Sequence, residues 1–383
     1  MSGAEKPGEA SADLQYSEVE QELRANVRAL VAARSPQSSV LARTESAEPV
    51  DTGLWRALGT ELGVTGLAVP ERWGGAGAGW RETAVVLEEL GRAAAAVPYL
   101  GSCVLATTAL LAAGDTGLLP AVASGELVAA LAVPFATAPG GPFPGGPGGV
   151  VAGPDGRRGS VGRVADARTA EVLLVPALTA GGSPGLWAVR GATVAPVVSL
   201  DMTRPLADLR FDGVQGQLLA EGPQAVQAVQ AALTTGAALL ASEQLGVAEW
   251  ALETTLGYVK TRHQFGRPVG SFQAVKHRLA DLWVAVTQLR AVARYAADTV
   301  AVGSPDAPVA ASVAQAFASQ VAVTAAEEAV QLHGGIGFTW EHPAHLYLKR
   351  AKSASIALGT ADRHRSLLAG LVDLPFPVQE QQA

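Results

Sequence analysis

Between Ser271 and Ala301 apolar residues return at alternating steps of four and three, at Val275, Leu279, Leu282, Val286, Leu289 and Ala293, with Val300 one heptad further on. That rhythm lays one apolar stripe down a single long helix, and so long a stripe must be covered by other helices or by another subunit. Residues 223–260 and 308–330 have the length and alanine content of two more long helices, and a fourth is expected after His345. The C-terminal part, residues 221–383, therefore reads as a four-helix bundle. Apolar residues make up 49% of the chain and charged residues only 16%, which excludes a disordered protein and favours burial of helix against helix or against a second subunit.

The other end is also helical, but built from shorter pieces. Residues 1–13 are small, polar and aperiodic, as expected of a loose tail. S-E-V-E at Ser17 is a capping-box pattern, in which the Ser17 hydroxyl accepts from the third helical N–H while Glu20 reaches back. Further helices are expected over residues 54–62, 81–96 and 105–124, with the glycine-rich turn WGGAGAG at 73–79 among them. After Gly125 the pattern changes to short apolar runs bounded by Gly, Pro, Asp or Ser, the signature of a β-barrel or sandwich. Within it, APGGPFPGGPGG at 138–149 can be neither helix nor interior strand and reads as a long loop. The expected fold class is α+β and multidomain: a tail (1–13), a helical N-terminal domain (14–125), a middle β domain (126–220) and the C-terminal bundle (221–383).

Charge and composition narrow the partners. Lys plus Arg number 28 against 35 Asp plus Glu, a net charge of −7, and no basic tract could neutralise a run of phosphates, so no nucleic acid is expected. The one cysteine, Cys103, has no disulfide partner within the chain and lies in an alanine-rich run without a basic neighbour, which suits an inert buried thiol. With no basic and apolar leader at the N-terminus, the expected localisation is cytoplasmic. Residues 93–114, 222–242 and 307–326 lack charge, but Gln, Ser, Thr, Gly or Pro dilute each, and alanine supplies much of their apolarity. Such stretches fit close helix packing, and no membrane span is expected. His342 and His345, in H-P-A-H, have Pro343 between them and only His333 as a third candidate, so no metal site is expected. GGAGAG at 74–79 does not follow a strand in a βαβ unit and is not a dinucleotide fingerprint.

Several motifs now combine. YVKTRHQFGRPVGSFQ at 258–273, followed by LADL at 279–282, resembles the R-x-x-F-G…F-Q signature of the FAD-dependent acyl-CoA dehydrogenase family, as does QLHGGIGF at 331–338. GLAVPERWGGAG at 66–77, LEELGR at 87–92, DMTRP at 201–205 and GTAD at 359–362 agree in order and spacing. The resemblance implies a helical domain, a β domain and a helical bundle, assembled into a dimer of dimers. It also implies FAD as cofactor and an acyl-CoA thioester as substrate. A carboxylate removes the α-proton, the β-hydrogen passes as hydride to the flavin, and electrons leave to an electron-transferring flavoprotein.

Carried onto this chain, the resemblance makes Arg262, Gln264, Phe265 and Phe272 the segment that reaches across a dimer interface to the neighbouring subunit's FAD, and Gln331, Gly334 and Gly335 a second contact to the same cofactor. An arginine suits the diphosphate because its planar fork donates to two oxygens and stays charged. Thr360 and Asp362 match positions beside the subunit's own cofactor. The base is missing: where most of the family has glutamate before G-T this chain has Leu358, and the alternative position on the preceding long helix is Gly236, with Ala237 beside it. Ala132 and Val133 replace the Thr and Glu of the family's T-E-P segment, and W-x-[TS]-N is absent, since Trp187 belongs to a different strand.

Groups serving the chain's own site are thus lost, while groups reaching a neighbour's FAD are kept. The leading expectation is the non-catalytic subunit of a hetero-oligomer, completing a partner's FAD site. An active homotetramer with a relocated carboxylate, Asp362, Glu249 or Glu253, is the alternative. A non-enzymatic acyl-CoA-binding or scaffold protein is the third reading.

Overall fold

The computed structural model describes residues 14–146 and 148–372; the tail expected over 1–13 lies outside the described residues. Helix α1 (Glu18–Arg34) starts at the expected capping box, with Glu20 N donating to Ser17 Oγ at 3.2 Å and Ser17 N to Glu20 Oε2 at 2.7 Å. Helices α2 (Gln37–Thr44), α3 (Thr52–Thr60) and α4 (Trp80–Arg92) follow, α3 being capped by Asp51, whose Oδ1 accepts from Leu54 N. The single helix expected over 105–124 is corrected to three pieces. A π-helical turn (Leu100–Ala106) runs into α5 (Thr107–Ala113), Gly114 at φ +73° ends it, and α6 (Leu119–Ala123) follows. The apolar run was continuous, but Gly114 supplies the left-handed stop that closes a helix.

The middle of the chain forms one mixed sheet. Its strands are β1 (Ala129–Leu131), β2 (Val150–Gly153), β3 (Gly156–Ala165), β4 (Val172–Thr179), β5 (Pro184–Val189), β6 (Thr193–Val197), β7 (Leu206–Val214) and β8 (Gly216–Glu221). The order is β6-β7-β3-β2-β4-β5-β8, with β1 pairing parallel to β4. Strand alternation divides two cores. Val172 and Leu174 of β4 face the helical body, whereas Leu173 and Val175 join Trp187, Leu209 and Phe211 in a core belonging to the sheet alone. The Pro- and Gly-rich loop connects β1 to β2, as expected.

The bundle contains α7 (Pro223–Thr261), a two-residue hairpin of β9 (His263–Gln264) and β10 (Arg267–Pro268), α8 (Gln273–Ala301) and α9 (Ala307–His333). Its fourth place is shared by two short helices, α10 (Ala344–Ala354) and α11 (Ala361–Leu371). The α8 stripe is inward: Leu279, Leu282, Val286, Leu289 and Ala293 are all buried. Helices α7 and α9 are long and apolar enough to cross a membrane, but 72% and 67% of the relevant windows are buried inside the protein, so both serve as core helices.

Two features lock these layers together. Helix α4 crosses α7 with the backbones nearly touching: a Cβ on Gly91 would lie 2.1 Å from Glu243 O, and one on Gly246 would lie 1.9 Å from Glu88 O. Only glycine admits that approach. Beside the crossing, Glu243 of α7 pairs with Arg204 from the loop before β7 and accepts from Arg350 Nε of α10 at 3.0 Å. Arg350 also donates to Thr203 Oγ1 at 2.9 Å, and Asp201 Oδ1 accepts from Thr203 N and Oγ1 at 2.9 and 2.6 Å. The DMTRP motif is thus a buried brace between sheet and bundle.

Burial raises the Glu243 carboxyl's pKa, but Arg204 and Arg350 outweigh it and hold the group below the ordinary value of 4.5. A depressed carboxylate contributes stability above its unfolded pKa and loses it as pH falls through the folded one. Glu243→Gln should therefore cost about 3–5 kcal/mol at pH 7, because it leaves buried guanidinium charge uncompensated. Urea unfolding at pH 7 and at pH 4 checks this: the deficit of the variant should shrink at the lower pH.

Candidate cofactor edge and closed base position

Because α8 runs back between them, α7 and α9 are parallel and end together, where Tyr258 and His333 stack at 4.5 Å. Arg262 caps α7, and the tight β9–β10 turn holds Phe265 at φ +54° with 90% of the residue exposed. A non-glycine residue in that region costs about 1–2 kcal/mol, so the turn spends stability to display an aromatic ring. Phe272 sits edge-on to Phe265 at 6.2 Å and carries the Arg267 guanidinium over its face at 3.9 Å. Gln331 is exposed on the last turn of α9, and a Cβ on Gly334 or Gly335 would meet nothing within 4 Å.

The residues expected to reach a neighbour's FAD therefore gather at one end of the bundle. Among the described residues, the side chains of Arg262, Gln264 and Gln331 have no ion pair or hydrogen-bond partner within the chain. An exposed fork, two amides, an aromatic face and two open glycines fit the diphosphate and rings of FAD. Sequence reasoning missed Ile336, Phe338 and Trp340, which are 40%, 74% and 57% exposed on the same turn. Their signal was present as I-G-F-T-W directly after the two glycines.

Thr360 and Asp362 belong to another element. Thr360 is the N-cap of α11, its hydroxyl accepting from Arg363 N at 3.3 Å, and Asp362 pairs with Arg365 at 2.8 Å with its side chain 93% exposed.

Gly236 and Leu358, distant in sequence, meet in the core. A Cβ on Gly236 would lie 2.4 Å from Leu105 Cδ2 and 3.0 Å from Leu358 Cδ1. Leu358 is fully buried at φ +53°, with its N–H donating to Phe135 O at 2.7 Å. The two positions where the resemblance would put a base thus converge on one point, which leucine methyl groups fill. Ala132 and Val133 are likewise core residues, 1% and 2% exposed. The other carboxylates are committed elsewhere. Glu249 is buried among Arg24, Arg92 and Arg290, and Glu253 pairs with Arg92. At about 1.5 Å rise per residue they lie roughly 20 and 25 Å along α7 from Gly236.

Beside this point the Pro- and Gly-rich loop, β3 and α11 line an open cavity of about 570 Å³, to which Phe143, Ser160 and Arg363 contribute. Its other walls are mostly proline, glycine and alanine, so it offers a flavin few side-chain donors.

A helical region, a mixed sheet and a helical bundle, with an exposed arginine, amide and aromatic edge at the bundle's end, fit a flavin-dependent dehydrogenase scaffold. Comparison with known proteins specifies it. Residues 17–126 match the family "Acyl-CoA dehydrogenase, N-terminal domain" and residues 226–371 "Acyl-CoA dehydrogenase, C-terminal domain". Acyl-CoA dehydrogenase IpdE2 of Mycolicibacterium smegmatis is 37% identical over 90% of this chain and 95% of that protein. The ChsE4-ChsE5 complex from Mycobacterium tuberculosis superposes with a TM-score of 0.83 at 30% identity, covering 95% of this chain and 100% of that one. A structure described as a variant of the Tcur3481-Tcur3483 steroid ACAD gives 0.80 at 32% identity over 93% and 98%. The chain belongs to the acyl-CoA dehydrogenase family, whose members are FAD-dependent oxidoreductases.

A carboxylate at the closed position would have no partner and would be pushed towards its neutral form. Leu358→Glu should therefore lose about 2–4 kcal/mol at pH 8. With a folded pKa above the unfolded one, that loss should shrink as pH falls to about 5. Thermal melts at the two pH values measure it.

Proposed function

We propose that this chain is the non-catalytic subunit of a hetero-oligomeric acyl-CoA dehydrogenase, and that it completes an FAD site whose base lies on a partner chain of the same family. The observation that carries this is a segregation of chemistry. The side chains that point out of the chain, Arg262, Gln264, Phe265 and Gln331, are free for a neighbour. The positions that would serve the chain's own chemistry, Gly236 and Leu358, are packed shut. Two structures that resemble this chain along nearly its whole length carry paired names, one of them described as a complex, which supports a two-chain assembly.

In this reading Arg262 would hold the cofactor's diphosphate, with Gln264 and Gln331 as further hydrogen-bonding groups, Phe265 as an aromatic face, and Gly334 and Gly335 leaving room for close backbone approach. Bound FAD supplies the hydride acceptor. The partner contributes the carboxylate that takes the α-proton of the acyl-CoA thioester, and an electron-transferring flavoprotein receives the electrons. A ring-bearing thioester is the first substrate to assay, since one two-chain relative is described as a steroid ACAD. The active homotetramer has less support: Glu249 and Glu253 are held in ion pairs along α7, and Asp362 pairs with Arg365.

Purification separates the readings. Alone, the chain should be colourless and inactive. Co-expressed with a family chain that carries glutamate before its G-T, it should give a yellow complex that reduces an electron-accepting dye with acyl-CoA. In that complex Arg262→Ala should weaken FAD binding by about 1.5–3 kcal/mol, the worth of a charge-assisted hydrogen bond. Yellow colour with dye reduction by this chain alone would overturn the proposal.

A further inference from the structure

The two halves of the cofactor edge are joined by one column of rings. Tyr347 of α10 lies flat on Trp250 of α7, with centroids 3.4 Å apart and planes within 1°. His342 stands 6.4 Å from Trp250, His333 lies 4.2 Å from His342, and Tyr258 lies 4.5 Å from His333. The far end is anchored on the N-terminal helices: the Tyr347 hydroxyl donates to Arg92 O at 2.7 Å and accepts from Gln37 Nε2 at 3.2 Å. The near end touches the edge at two points. Arg262 N donates to Tyr258 O at 2.9 Å, and His333 is the last residue of α9, two after Gln331 and directly before Gly334.

We propose that His333 is a positioning residue: stacked between Tyr258 and His342, it sets the spacing between Arg262 and the Gln331–Gly335 turn, and the column grips a partner's FAD while both imidazoles are neutral. This rests on the half-site reading above. His333 Nδ1 lies 2.6 Å from Ala329 O, so this nitrogen carries the proton and donates it. Two rings 4.2 Å apart cannot both become cations without repelling each other. Burial lowers the pKa of both. His342 is pulled to about 4 by burial, then by His333 and His345, and His333 is lowered by burial against the opposing Ala329 carbonyl.

The groups that face the pair are Tyr258 from α7 and His345 from α10, with Lys349 beyond His345. On α9 itself Glu327 and Glu328 are taken up by Lys352 and Arg278, so among the described residues no carboxylate pairs with either imidazole. An imidazole with a lowered folded pKa stabilises the folded form above its unfolded value, about 6.5, and that stabilisation is lost as pH falls towards about 4. The grip on FAD depends on the folded protein's own protonation, so it should hold at pH 6 and weaken only as pH falls towards about 4.

The test measures FAD affinity by flavin fluorescence, and assembly by analytical ultracentrifugation, on the complex with its partner chain at pH 8, 6 and 4. His333→Ala should raise the FAD Kd about tenfold, the factor that ~1.4 kcal/mol produces, without changing assembly. His333→Phe keeps a flat ring that cannot charge, and should restore affinity and flatten the pH dependence. An unchanged Kd in His333→Ala, or the wild-type pH dependence in His333→Phe, overturns the proposal. Arg262→Ala is the reference: if it weakens FAD and His333→Ala does not, the positioning role alone fails. If neither affects FAD, the half-site reading fails with it.

Discussion

The docking of the sheet against the bundle depends on one buried carboxylate held by two arginines. Glu243 sits in the middle of α7, where α4 crosses at glycine distance, and it accepts from Arg204 of the sheet domain and Arg350 of α10. All three residues are almost completely buried, so the charges are worth their desolvation only while all are present. Asp166 shows the other side of that balance. It lies near the same arginines and accepts from Gly101 N at 3.0 Å, yet burial outweighs them and lifts its carboxyl to about 6.

This brace decides where the chain's own chemistry could have been. Arg350 holds α10, and four residues after α10 ends Leu358 turns in to meet Gly236 and Leu105. The left-handed backbone at Leu358 and Gly359 is retained although the side chain there is apolar. Leucine side chains pack at this point, where the resemblance would put a carboxylate. At the other end of α7 the opposite holds: Phe265 is exposed in a costly backbone conformation.

Much of this was legible in the sequence because it was periodic or locally encoded. The α8 stripe, the Ser17 capping box and the Pro- and Gly-rich loop each depend on neighbours a few residues away, and each took the expected form. The break at Gly114 was readable in principle, since glycine is the usual left-handed helix stop, but the apolar run continuing past it hid the signal. The exposed turn from Ile336 to Trp340 was hidden for another reason. An apolar run reads as core until the structure places it on the surface.

The sequence by itself determined the order of helical, β and helical regions and the family, and it named the groups of the candidate cofactor edge. Periodicity and motif spacing are properties of the chain and survive without coordinates. Only the tertiary structure decided that Gly236 and Leu358 occupy one point, that Glu249 and Glu253 lie far along α7 in ion pairs, and that Tyr258, His333 and His342 stack into one column. These residues come from elements distant in sequence. Their meeting is set by helix crossings and buried charge, which no local pattern encodes.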